Sequence, residues 1–178
     1  AKVLNNPDSE PLSSSFKDQL SSAYERSIHD DPLVRSYLAM AMGATQDTLF
    51  GKDLINGLED KSLETRIAAI QALGMIKYVA AVTPINSLIK LADNESERLS
   101  ATISLGMIGD NSAVPFLKDL LEDEEANIRW DAAIALAKMG DDSGAYIIEG
   151  LLDRNYLSKF NEIDPVEQTR VLLVAIKT

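Results

Sequence analysis

Glu97-Arg98-Leu99-Ser100-Ala101-Thr102-Ile103-Ser104-Leu105-Gly106 is one of four stretches that fall into register along this chain. The others run from Val34-Arg35 to Met42-Gly43, from Thr65-Arg66 to Leu73-Gly74, and from Ile128-Arg129 to Leu136-Ala137. Their arginines lie 31, 32 and 31 residues apart. In three of the stretches a glycine follows the arginine by eight positions, and in the last Ala137 stands there, ahead of Gly140. Self-similarity at a fixed period of this length signals stacked units in place of a single globular core.

Within a unit the apolar residues recur at helical spacing. Ile67, Ala68, Ile70, Ala72 and Leu73 form one set; after a Gly or Asp break, Val82, Ile85, Leu88, Ile89 and Leu91 form a second. Each unit therefore predicts two helices. Gly109-Asp110-Asn111-Ser112 and Gly140-Asp141-Asp142-Ser143 supply turn glycines followed by capping residues. Pro84 and Pro115 fall near the first turn of the helix that follows, where a missing N–H is tolerated. No β alternation of useful length occurs. The expected fold is all-α, a right-handed α-α superhelix of about four to five helix pairs. A polar lead-in is expected over 1–12 and the solenoid over 13–153, with units near 13–43, 47–74, 80–106, 112–139 and 143–153 onward. Phe16, Leu20, Tyr24 and Ile28 would supply the first outer helix. Residues 154–178 read as an insertion and a C-terminal capping helix of the same domain, because the next matching arginine, Arg170, comes late.

The strings Asn127-Ile-Arg-Trp-Asp-Ala-Ala-Ile-Ala-Leu-Ala-Lys-Met-Gly-Asp141 and Leu105-Gly-Met-Ile-Gly-Asp-Asn-Ser-Ala-Val-Pro-Phe-Leu117 resemble the short HEAT repeat of phycobilisome lyases over about residues 30–153. The resemblance implies that the arginine-bearing helices line the concave inner face and the others the convex back. It also implies a protein-binding scaffold as the default function. A lyase-like or chaperone-like subunit that handles a tetrapyrrole on a client protein is the alternative.

Composition narrows the function further. A chain of 178 residues without cysteine has room for a core and excludes disulfides and thiolate metal sites. With 17 basic and 28 acidic residues the net charge is -11, which repels phosphate backbones, so nucleic acid is not the expected partner. No apolar run is long enough to span a membrane. The compartment is left open by these features. Starting at Ala1 and ending in the apolar run 171–176, the sequence reads as a piece of a longer protein. Acids recur just before helical segments, at Asp31, Asp60, Asp93 and Asp123 among others, where they are expected to cap helix starts.

A helical wheel built on the repeating arginine puts the core at the position before it and at three, six and seven after it. Positions one and five after it project from the opposite side. They hold Ser36 and Met40, Ile67 and Gln71, Leu99 and Ile103, and Trp130 and Ile134, with Tyr37 beside them. Aligned along a stack, these would form an apolar strip with aromatic anchors near both ends, the signature of a binding surface. Glu64, Glu95 and Asp131 would give it an acidic rim, suited to a basic, amphipathic or extended peptide. The competing expectation is that curvature or neighbouring helices bury these positions within the stack. Arg35, Arg66, Arg98 and Arg129 could bind an anionic ligand, but acids such as Asp60, Asp93 and Asp123 lie close by. A structural ladder across adjacent repeats is the preferred reading, in line with the resemblance.

Enzyme readings find few parts. The one histidine, His29, cannot build a triad or a zinc site and is expected near a helix C-terminus. Glycines are isolated, with no phosphate loop, and the pairs Asp141-Asp142 and Glu124-Glu125 read as turn residues. No cofactor or metal is expected.

Overall fold

The four arginine-bearing stretches are helices, each preceded by another helix that is shorter in all but the first pair. The computed structural model of the chain describes residues 13–27 and 31–152, together with Val166 and Thr169. The lead-in, Ile28, His29 and the stretch containing Arg170 lie outside the described residues. Among the described residues the arginine helices are α2 (Pro32–Ala44), α4 (Leu63–Met75), α6 (Glu95–Ile108) and α8 (Ala126–Lys138). Their companions are α1 (Ser14–Arg26), α3 (Gly51–Gly57), α5 (Val82–Leu91), α7 (Val114–Asp119) and α9 (Ala145–Leu151). No strand occurs among the described residues, and no helix there is long and apolar enough to cross a membrane.

The arginine helices form one layer, α2 on α4, α4 on α6 and α6 on α8, and these are the most extensive contacts of the molecule. Each outer helix packs onto its arginine helix, while the outer helices touch each other far less. The core lies between the layers, with Phe50, Leu54, Leu73, Ile85, Leu105 and Leu117 fully enclosed. The chain is an all-α solenoid.

The repeating glycine explains the close contact within the arginine layer, and here the structure corrects the sequence reading. Gly43, Gly74 and Gly106 lie inside α2, α4 and α6 and do not break them. A Cβ on Gly106 would stand 2.6 Å from Cβ of Ala135, and one on Gly43 would stand 2.8 Å from Cα of Ala72. One on Gly74 would meet Ser104 at 2.9–3.1 Å. Each contact joins the position eight after one arginine to the position six after the next. Ala41, the equivalent of Ala72, Ser104 and Ala135 in α2, is exposed.

The turns after the arginine helices also repeat. Eleven residues after each arginine the backbone is left-handed, at Gln46 (φ 56), Lys77 (φ 52), Gly109 (φ 67) and Gly140 (φ 81). One residue later, Asp47, Asp110 and Asp141 accept from the backbone N–H of Leu49, Ser112 and Ser143 at 2.9–3.0 Å. Helix starts depart from the acid pattern. Asp31 caps α2 through Leu33 N–H at 2.9 Å, but Ser62 caps α4 and Asn94 caps α6. Asp60 and Asp123 serve another purpose.

Candidate functional site

The arginines bind the units to one another. Arg35 grips Asp60 through Nε and Nη2, both at 2.9 Å, and donates to the carbonyl of Ser27 at 3.1 Å. Arg98 pairs with Asp123. Six positions before an arginine is where the preceding arginine finds its carboxylate, except that Ala92 stands there before Arg98. Arg66 instead takes Glu97, through Nε and through Nη2 at 3.0 Å, and also donates to the carbonyl of Asp60 at 3.0 Å. Arg129 donates to the carbonyls of Asp123 and Glu124 at 2.6 and 2.9 Å.

Glu97 is 3% exposed, at a position where Thr65 and Ile128 are core. It was missed in the sequence, although a charge on the core side of an amphipathic helix is a visible signal. Asp93 was the expected partner, and it is not the group that Arg66 holds. Burial alone would raise the Asp60 carboxyl, but hydrogen bonds from Arg35 and from Ser62 N–H, with the Arg35 and Arg66 charges, outweigh it and hold the group below its usual range. The hydrogen bond that Arg66 donates to Glu97, against some burial, raises Arg66 above its ordinary value. These guanidinium groups are spent on structure.

The strip expected on the inner face divides. Tyr37 is 69% exposed, Gln71 and Glu64 are exposed, and Met40, Ile67, Leu99 and Ile103 are half-buried. Trp130 is 0% exposed, and Ile134 and Asp131 are buried too. Two of these correct the sequence reading: Trp130 is a core residue and no aromatic anchor, and Asp131 is buried and no exposed acidic rim. The wheel treats the arginine helix as open on its far side, whereas α8 retains little accessible surface on any side. Glu64 accepts from Ser62 Oγ at 2.6 Å, which keeps its carboxyl low, and Glu95 accepts from Asn127 at 2.7 Å.

A groove of about 540 Å³ crosses the C-terminal ends of all four arginine helices. Every residue lining it belongs to an arginine helix or to the turn directly after one. Ile103 and Ile134 come from the expected strip, five positions after their arginines. Met75, Met107, Ala44 and Lys138 stand nine after, and the left-handed Gln46 and Lys77 stand eleven after. Gly74 and Gly106 line it as well, so the contacts that draw the helices together also shape its floor. Positions one, five and nine form one ridge of an α-helix, so the ninth position was legible. The site is thus an apolar trough, with Met107 41% exposed and two lysines at its mouth. No group of three His, Cys, Asp or Glu able to hold a metal ion occurs among the described residues.

The HEAT-repeat pattern matches residues 18–105 and 84–158, and the chain belongs to the HEAT-repeat family. Among solved structures it is similar to a chain of the complex of CpcE and CpcF of phycocyanin lyase from a Nostoc species. That likeness has a TM-score of 0.62 at 18% identity and covers 93% of this chain and 83% of that one. It is a likeness of fold. No curated protein sequence matches the chain.

Proposed function

We propose that the chain is a non-catalytic scaffold that binds a peptide or protein partner on its inner face, with the groove at the C-terminal ends of α2, α4, α6 and α8 as the contact surface. The observation that carries this reading is the groove itself. Four successive repeats contribute apolar side chains to one open trough, and exposed apolar surface of that kind marks interaction sites. Tyr37, Met40, Ile67, Gln71 and Leu99 extend the same face toward the helix N-termini, with Glu64 at its edge. Methionine suits the role because its unbranched, polarisable side chain adapts to varied partners.

The absence of cysteine makes the test simple. Met107→Cys, on the groove, and Leu91→Cys, on an outer helix and 82% exposed, each give one labelling site. A photo-crosslinker at residue 107 should trap a defined partner, purified and re-bound at stoichiometric ratio, while the same label at residue 91 should not. Equal trapping from both sites would remove the groove from the account.

The fold likeness to a phycocyanin lyase complex favours a second reading, in which the chain is a lyase-like or chaperone-like subunit that handles a tetrapyrrole. The same trough would hold a flat apolar ring system, with lysines for its carboxylates. A spectral titration with bilin or haem separates the two readings, since a tight 1:1 absorbance change supports the second.

A further inference from the structure

Lys77 is a poor residue for the fold at its position. Its φ of 52 lies in the left-handed region, where a side chain is disfavoured and glycine is at ease. The equivalent turns after α6 and α8 use Gly109 and Gly140, and the turn after α2 uses Gln46 with a φ of 56. The two turns that carry side chains are the two whose eleventh-position residues line the groove. Strained positions of this kind persist where the side chain is used.

Charge gives the use. In a chain of net charge -11, Lys17, Arg35, Arg66, Arg98 and Lys118 form ion pairs. Arg26, Lys52, Lys61, Lys77, Lys90, Arg129 and Lys138 pair with no carboxylate among the described residues, and of these Lys77 and Lys138, both exposed, line the groove. Asp131, the other charged residue of the lining, is buried, so the lysines set the charge at the mouth. Attraction to helix C-terminal dipoles accounts for a cation near α4 and α8. It does not account for placing one at a left-handed residue. The exposed acids Glu64 and Glu95 sit at the opposite ends of α4 and α6, away from the trough.

We infer that the groove takes an acidic, apolar peptide segment, with an apolar side chain on the floor of Ile103, Met107 and Ile134 and a neighbouring carboxylate held by Lys77 and Lys138. Of the basic, amphipathic or extended peptide expected from the sequence, this keeps the apolar contact and reverses the charge, and it rests on the groove being the binding surface.

The test is selection of random peptides displayed on phage against the full chain, followed by synthesis of the enriched peptide. Enriched sequences should place Asp or Glu within two residues of Leu, Ile, Met or Phe. Binding should weaken about fivefold in Lys77→Gly and about tenfold or more in Lys77→Gly/Lys138→Gln, the range expected for exposed ion pairs. Lys77→Gly should at the same time raise Tm, because it relieves the turn, so weakened binding cannot be misread as unfolding. Enrichment of basic peptides that compete for the groove, or an unchanged Kd in Lys77→Gly, would overturn the inference and leave the groove standing. If Met107→Asp also leaves binding intact, or no peptide is enriched, the groove reading fails with it.

Discussion

Gly106→Ala is a small change with a large expected effect. A methyl group added there would come 2.6 Å from Cβ of Ala135 and 3.4 Å from its Cα. That is about 1 Å inside the ~3.5–4.0 Å optimum for carbon pairs, and the obstacle is a buried residue on α8, not a flexible side chain. The two helices must separate, disturbing the ladder and the floor of the groove. Overpacking of this kind costs about 1–3 kcal/mol, against a helix-propensity gain of about 1 kcal/mol for replacing an interior glycine. The net expectation is a loss of up to about 2 kcal/mol, read as a lower urea midpoint by circular dichroism. Ala135→Gly alone should also destabilise, by about 1 kcal/mol through propensity. Combined with Gly106→Ala it moves the methyl from one helix to the other and removes the overpacking, so the double variant should be better than additive by about 1–3 kcal/mol. Stabilisation by Gly106→Ala alone, at the size propensity gives, would show that helix contact is not what requires the glycine.

Other outcomes follow from the same geometry. Glu97→Ala removes the carboxylate that joins Arg66 to the next unit and should cost about 2 kcal/mol. Adding Ala92→Asp restores the acid at its usual place in the repeat and should recover at least half of that loss in urea unfolding. Tyr24, buried, has its hydroxyl raised first by burial and then by Asp60, to about 12. Its folded value lies above the unfolded value near 10, so its contribution is complete below pH 10 and is lost as pH rises toward 12. Tyr24→Phe should therefore lose less stability than the parent over that window, measured as Tm against pH. Asp60 behaves oppositely: held low, it stabilises above the ordinary carboxylate range near pH 4, and that contribution falls away as pH drops through its folded value. Asp60→Asn should flatten the acid limb of the same profile. Trp130→Ala should cost about 3–5 kcal/mol in denaturant melts, because the indole is fully enclosed; a cost under 1 kcal/mol would mean that the side chain is peripheral.

The period of the arginines and the two helices per unit were legible because both follow from spacing alone. What sits on each face was legible only in part. Ile103 and Ile134 were found on the wheel, but the ridge was not followed to Met75, Met107 and Lys138, one turn further on. Trp130 was misplaced because a wheel describes an isolated helix, and the packing of α8 on its neighbours has no local signature. The glycines were misread for a related reason. Gly106 looks like a breaker by propensity, and only the partner surface at Ala135 shows that it is a contact. In Arg66 and Glu97 the ladder keeps its charge balance while the acid moves from position 92 to 97, a compensation across repeats that a fixed template overlooks.

A partner seated, as proposed, in the trough at the C-terminal ends of the arginine helices should shield the backbone there. Hydrogen–deuterium exchange of the full chain, with and without the enriched peptide at saturation, reads that shielding segment by segment. Slowed exchange should concentrate at 44–46, 74–77, 103–109 and 134–138. Protection confined to α3, α5 and α7, with those segments unchanged, would place the partner on the opposite layer and rule out the trough as its seat.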